Sequence, residues 1–288
     1  MPNNTMPEVK NQTHVADELN KLSRNDYLVT LFIPEAVRAD AQALLAFAAE
    51  LRIVQHRVSE PTPGEIRLQW WHDALDGQGH GAVRSNPIAS CLLDAIEKHQ
   101  FPIIPLKRMI AAHRFDLYSD PMSDVNQFEG YSGETRACLY QFIAMALGSK
   151  DADPALYADA AGHLGVASTY VNAILAFGRD SSNGKIFLPY SVFQSFGVDD
   201  KVILAGQNSE AMRQAMAAHL QAAEEHLAQA QAAIKLLPKN VRPAFVDSAI
   251  VRAQLRFLNK RTDNPFLIGA GRSDLRKLIA MFVYSVKN

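Results

Sequence analysis

The sequence predicts an all-α fold, and three observations carry that prediction. Apolar residues recur at helical spacing through most of the 288 residues, and alternating strand-like runs are nearly absent. Proline and glycine fall between the periodic segments, where they start and stop helices. One long stretch, residues 209–237, is built almost wholly from Ala, Gln, Glu, His and Leu, which favour a helix throughout. No repeat of roughly 20–50 residues points to a solenoid. No Gly/Ser- or Pro-rich linker divides the chain, so the expectation is one domain of about ten helices.

In chain order, residues 1–13 read as a disordered tail and 14–288 as the folded domain. A first helical stretch from about 16 to 32 stops at Pro34, and an Ala/Leu-rich helix follows over 35–54. It ends in the polar patch Gln55-His56-Arg57-Val58-Ser59-Glu60, before Pro61-Thr62-Pro63-Gly64, which reads as a turn. A helix from about Gly64 carries Ile66, Leu68, Trp70, Trp71 and Leu75. The adjacent tryptophans point roughly 100° apart, one toward the core and one toward the rim. Asn86 before Pro87 is a helix start, the Asn capping and the Pro occupying the first turn. Pro102 and Pro105 precede a helix reaching Tyr118, and a further helix covers 125–147 with Gly148 as its stop.

The stretch His163–Pro189 organises the rest. Gly165, Ala167, Ala173 and Ala176 leave room for a close approach, and a helix over about 155–177 leads into a polar loop from Arg179 to Lys185. Short helices around 190–196 and 199–205, the long one over 209–237, and helices over 241–260 and 273–286 complete the chain.

A net charge of -1 gives no basic field for nucleic acid. Cys91 and Cys138 stand far apart without CxxC neighbours, which fits a reducing, cytoplasmic setting and excludes a disulfide scaffold or zinc site. No run of about 18 apolar residues predicts a membrane span. Peripheral membrane contact stays open, although no basic amphipathic helix stands out. The nine histidines lack ligand spacing: His72, His80 and His113 stand alone, and His219 and His226 read as solvated polar residues of the long helix. There is no GxSxG elbow, phosphate loop or GxGxxG. Carboxylates at i and i+4, which share a helix face and can hold Mg²⁺, are scarce.

Several stretches together carry a resemblance. They are Asn25-Asp26-Tyr27; Arg38 with Ala46-Phe47; Pro63-Gly64-Glu65-Ile66-Arg67-Leu68-Gln69-Trp70-Trp71; Asp116-Leu117; Tyr131-Ser132-Gly133-Glu134-Thr135; and Gly165-Val166-Ala167 through Lys185-Ile186-Phe187-Leu188-Pro189. In combination and order the chain resembles the squalene/phytoene synthase family over roughly residues 24–286. The resemblance implies the isoprenoid (terpenoid) synthase fold, ten or more helices around a central apolar cavity. Active relatives condense two prenyl diphosphates head to head, with Mg²⁺ held by two Asp-rich motifs on facing helices. The metal there neutralises the leaving diphosphate while a carbocation forms in a dry cavity.

This chain departs from that pattern. The first motif's aligned pair is Gln55 and Ser59, and the second's is Ala176 and Asp180, so one Asp of four survives. Neutral side chains lack the anionic oxygens that hold Mg²⁺. The sequence looks like a divergent branch, marked by VSEPxxGEIRLQWW and YxGET, that includes a mitochondrial complex I assembly factor of phytoene-synthase type. What the resemblance then implies is a non-catalytic protein without cofactor, holding a prenyl chain or lipid or docking a client protein. Arg38, Arg57, Arg67, Tyr131, Glu134 and Lys185 are its candidate ligand-binding residues. The alternative is a Mg²⁺-dependent head-to-head prenyltransferase in which Glu60, Asp116 and Asp180 carry the metals. Asp116 and Glu134, each after an apolar run, read more readily as structural anchors paired with Arg136 or Arg67.

Overall fold

Several helix starts in this chain are set by capping side chains or by prolines placed in first turns. A computed structural model describes residues 6–78, 81–149, 153–261, 263–269 and 271–287, so His80 and residues 1–5 of the expected tail lie outside the described residues. Among the described residues the chain is helical and has no strand. It divides into two compact units, residues 1–118 with 142–152 and residues 119–141 with 153–288.

Unit 1 begins with α1 (Met6–Leu22), so residues 6–13 are helical where the sequence reading expects a tail. After Pro7 no breaker interrupts the run, and Val15 and Leu19, four residues apart, are buried and anchor it. α2 (Arg24–Thr30) follows, then α3 (Glu35–Arg57), whose Ala/Leu face makes most of this unit's core. α4 (Pro61–Leu75) starts three residues before the expected Gly64. The Pro-Thr-Pro-Gly segment is its first turn rather than a loop, since proline there loses no intrahelical hydrogen bond. Gly64 lets the Leu117 side chain sit against that turn, since a Cβ would stand 2.5 Å from its methyl group and make that side chain shift. α5 (Pro87–His99) starts as expected, with the Asn86 side chain accepting from the amides of Ile88 and Ala89. α6 (Ile103–Ala112) ends earlier than expected, because the chain tightens into a 3₁₀ turn at Phe115–Leu117.

Unit 2 opens with α7 (Val125–Ser132), capped by Asp124. It runs through a π turn, Gly133–Ala137, into α8 (Cys138–Leu147), whose last residues belong to unit 1. α9 (Ala158–Ser182) is the longest-buried helix of this unit and packs chiefly along α12 (Glu210–Leu236). Between them in sequence lie α10 (Tyr190–Ser195) and α11 (Asp200–Leu204). α13 (Asp247–Leu258) and α14 (Asp274–Lys287) close the chain. The helix Pro154–Ser182 is long and apolar enough to cross a membrane, but 72% of its apolar window is buried inside the fold, as in a core helix.

The small residues of α9 have a local explanation. A Cβ at Gly165 would meet the Ala137 backbone nitrogen at 2.7 Å, so what approaches closely there is the chain's own π turn. A Cβ at Gly178 would collide with the Phe266 carbonyl. The polar run expected as a loop is helical through Ser182: the Ser181 and Ser182 hydroxyls bond back to the carbonyls of Phe177 and Arg179, so they find partners within the helix, and the Asn183 amide closes its last turn.

Candidate functional site

The first aligned metal position sits at the end of α3. Gln55 is on its last turn, but the helix stops at Arg57, and Val58 is extended (φ -128°, ψ 146°). Ser59 therefore lies beyond the helix, exposed, and does not share a face with Gln55. Glu60 occupies the cap position of α4 without capping it through its side chain, and is exposed.

Beside this junction, within unit 1, lies a cleft of about 240 Å³ lined by Glu50, Val54, Arg57, Arg67, Trp70, Trp71 and Asn86. Glu50, Val54 and Arg57 follow at i, i+4 and i+7, one face of α3. Arg57 donates to Glu50 at 3.0 Å. Arg67, on the exposed side of α4, makes no hydrogen bond or ion pair among the described residues. Trp71 is buried edge-on against Phe47 (5.0 Å between rings), and Trp70 stands half-buried against Trp71 at 4.9 Å, so core and rim divide between them. A guanidinium with its donors open beside an indole edge suits a planar anionic group.

The other unit 1 candidates serve the scaffold. Arg38 donates to the carbonyls of Thr30 (3.1 Å) and Ile33 (3.1 Å), satisfying the end of α2. Asp116 is buried against His113 (Oδ2 to Nδ1, 2.7 Å), the place of a structural anchor.

In unit 2, Ala176 and Asp180 do share a face, since α9 continues past both. Asp180 accepts from Arg179 at 3.0 Å, and its backbone carbonyl takes the amide of Lys185 at 2.9 Å. Tyr131 stands edge-on to Phe187 (5.2 Å). Glu134 lies on the π turn, and its charge adds to burial in pushing the Cys138 thiol up to about 12.

Sequence reasoning missed three features here. Arg136 pairs with Asp247 (2.8 Å), which also accepts from the Tyr140 hydroxyl and from Ser168 at 3.4 Å, and burial raises the Tyr140 phenol well above its usual range. Only the apolar flanks of Asp247 hinted at its burial. His219, expected to be solvated, is 1% exposed and packs between Tyr170 and Phe193. Neither of its nitrogens has a partner among the described residues, and burial lowers its pKa to about 3. It sits on the face of α12 that includes Met212, Ala215 and Met216, a period the sequence did show. His226 is half-buried, 3.0 Å from the ring nitrogen of His163 and 3.3 Å from Glu129, and burial followed by the His226 charge lowers the His163 pKa.

The residues present do not fit a pair of Asp-rich Mg²⁺ sites. One position has a neutral pair split by a helix end, and the other has a single carboxylate engaged by arginine. Among the described residues no group of three His, Cys, Asp or Glu could hold a metal ion.

The family pattern described as squalene/phytoene synthase matches residues 19–278. NADH dehydrogenase (ubiquinone) complex I assembly factor 6 of Mus musculus is 29% identical over 243 residues, covering 84% of this chain and 72% of that protein. The 15-cis-phytoene synthase of Synechocystis is 24% identical over 250 residues, covering 83% and 74%. Among solved structures, a dehydrosqualene synthase superposes with a TM-score of 0.82 at 18% identity, covering 98% of this chain and 97% of that one. A squalene synthase from Alicyclobacillus acidocaldarius gives 0.75, also at 18%, covering 91% and 98%. These likenesses show the isoprenoid synthase fold.

Proposed function

The chain belongs to the squalene/phytoene synthase family, and we propose that it is a non-catalytic member that binds rather than converts, acting in the manner of an assembly factor on a client protein. The observation that carries this reading is the end of α3 at Arg57, which leaves Gln55 and Ser59 neither carboxylate nor on one helix face. Its likeness to complex I assembly factor 6 supports the same reading. No step in it requires Mg²⁺.

The unit 1 cleft is the anchoring point of this proposal. At about 240 Å³ it is smaller than the roughly 300–1,000 Å³ typical of whole-ligand pockets. It is sized for a headgroup or an acidic side chain. Arg67 would fork onto that anion, Arg57 would add a charge already oriented by Glu50, and Trp70 would cover the apolar part.

The deciding experiment measures diphosphate release from farnesyl and geranylgeranyl diphosphate with Mg²⁺, beside an active phytoene synthase. No release, with the control active, is the expected result. Release that Asp180→Ala abolishes would overturn the reading in favour of a prenyltransferase. Binding of a prenyl diphosphate without turnover, weakened roughly tenfold by Arg67→Gln, would place the headgroup in the cleft.

A further inference from the structure

The last helix wears its amphipathic pattern reversed. α14 (Asp274–Lys287) packs on α13, yet its buried side chains are Lys277 and Met281. Leu275, Ile279, Phe282 and Val286 are exposed, Phe282 by 62% and Val286 by 70%. At about 100° per residue these four fall within an arc of roughly 60°, opposite the buried face. Val283, at 38% exposure, extends the stripe on one side.

On the Val283 side of the stripe the charges have one sign. Arg276 and Lys287 flank it on the side of Val283 and are exposed. The helix's single acid, Asp274, lies toward the buried face, where it accepts from Lys277 at 3.4 Å. The C-terminal end of α14 meets the end of α12 through Arg242, whose carbonyl accepts from Tyr284 (3.0 Å) and whose guanidinium holds the Lys235 and Leu237 carbonyls. There Leu236 is 86% exposed between exposed Lys235 and Lys239.

We infer that α14, with the adjoining tip of α12, is a docking surface for an anionic lipid bilayer. The apolar stripe enters the interface while the flanking cations meet the headgroups. Hydrophobic stripe, cationic border and absence of acid from the outward arc are together the chemistry of an interfacial helix. A second copy fits less well. Two α14 helices related by a two-fold axis would bring Arg276 of one beside Lys287 of the other, with no acid to pair either.

Flotation of the whole 288-residue chain with vesicles of phosphatidylcholine, with and without phosphatidylglycerol, tests this. Binding is expected with phosphatidylglycerol and is expected to weaken with added salt. The double variant Ile279→Ser with Phe282→Ser, altered only at exposed positions, should keep the wild-type Tm and lose at least roughly tenfold in vesicle partitioning. Arg276→Gln with Lys287→Gln should lose roughly tenfold on the anionic vesicles alone. Wild-type protein that floats with neither vesicle overturns the proposal. So does flotation unchanged by the Ile279/Phe282 pair, or a concentration-dependent dimer that this pair abolishes. The assay contains neither diphosphate nor client, so its failure leaves the binding-protein reading standing.

Discussion

The ends of α3 and α9 hold the two positions where the family's carboxylate pairs belong, and they depart from the pattern in different ways. At α9 the helix runs through Ser182, so positions 176 and 180 keep their common face and only the chemistry has changed, Ala176 for one carboxylate and Arg179 engaging the other. At α3 the helix stops at Arg57, so the face itself is gone beyond that residue. A metal pair thus fails by composition in one region and by backbone geometry in the other. The first loss leaves the local fold able to present a ligand pair, and the second does not.

This contrast can be attacked from its supports downward. The largest expected effect is on the buried carboxylate that anchors α9. Asp247 ties Arg136 and Tyr140 to Ser168 of that helix and is buried, so Asp247→Ala, which removes the carboxylate that all three donate to, should cost about 3–5 kcal/mol in urea denaturation. Ser59→Ala, at the exposed end of α3, should stay within about 0.5 kcal/mol. Equal costs would erase the distinction between a braced and an unbraced region.

Acid should also weaken the α9 side. His219 packs on Tyr170 of α9, and its pKa falls from 6.5 to about 3 on folding. The unfolded chain therefore takes up a proton first. Stability from this group is complete above about pH 6.5 and is lost as pH falls toward about 3, by up to about 1.4 kcal/mol per pH unit. Denaturation between pH 7 and 5 should show that slope, and His219→Phe should flatten it by a similar amount. Next in size, Gly165→Ala forces a methyl against the Ala137 backbone and should cost about 1–3 kcal/mol, read as a lowered urea midpoint at unchanged slope.

The smallest effect is the most direct. Ala176→Asp should give α9 a weak Mg²⁺ site detectable by calorimetry, while Gln55→Asp with Ser59→Asp should give none. Mg²⁺ binding by the α3 double variant would show that the helix end does not matter.

Much of this architecture was legible in the sequence because its punctuation is chemical. Asn86 caps α5 through its side chain as its position before Pro87 predicts, and the apolar period located α3, α9 and α12 within a few residues. What stayed hidden depends on contacts distant in sequence or on fine backbone geometry. Nothing local announces a π turn at Gly133–Ala137, or a helix that halts two residues short of Ser59. Pro61 and Pro63 read as a turn, yet proline suits a first helical turn as well, and that is where they lie. His219 was misjudged because a polar residue among Ala and Gln gives no sign of the aromatic wall that covers it. For α14 the period revealed two faces, but period alone does not say which one the fold keeps. Of the cleft, Arg57, Arg67 and the tryptophans were visible as residues, while their convergence required the α3–α4 packing.

The early stop of α3 acts as a ratchet. Substitution of Gln55 or of Ser59 by aspartate, singly or together, yields no shared ligand face, so no single reversal on the way back to a carboxylate pair improves metal affinity. The path would have to extend the helix first, through Val58 and against the Pro61 and Pro63 that start α4 immediately afterward. Sequence drift around residues 55–59 is therefore released from the demands of metal chemistry and left answerable only to folding and to whatever the neighbouring cleft holds.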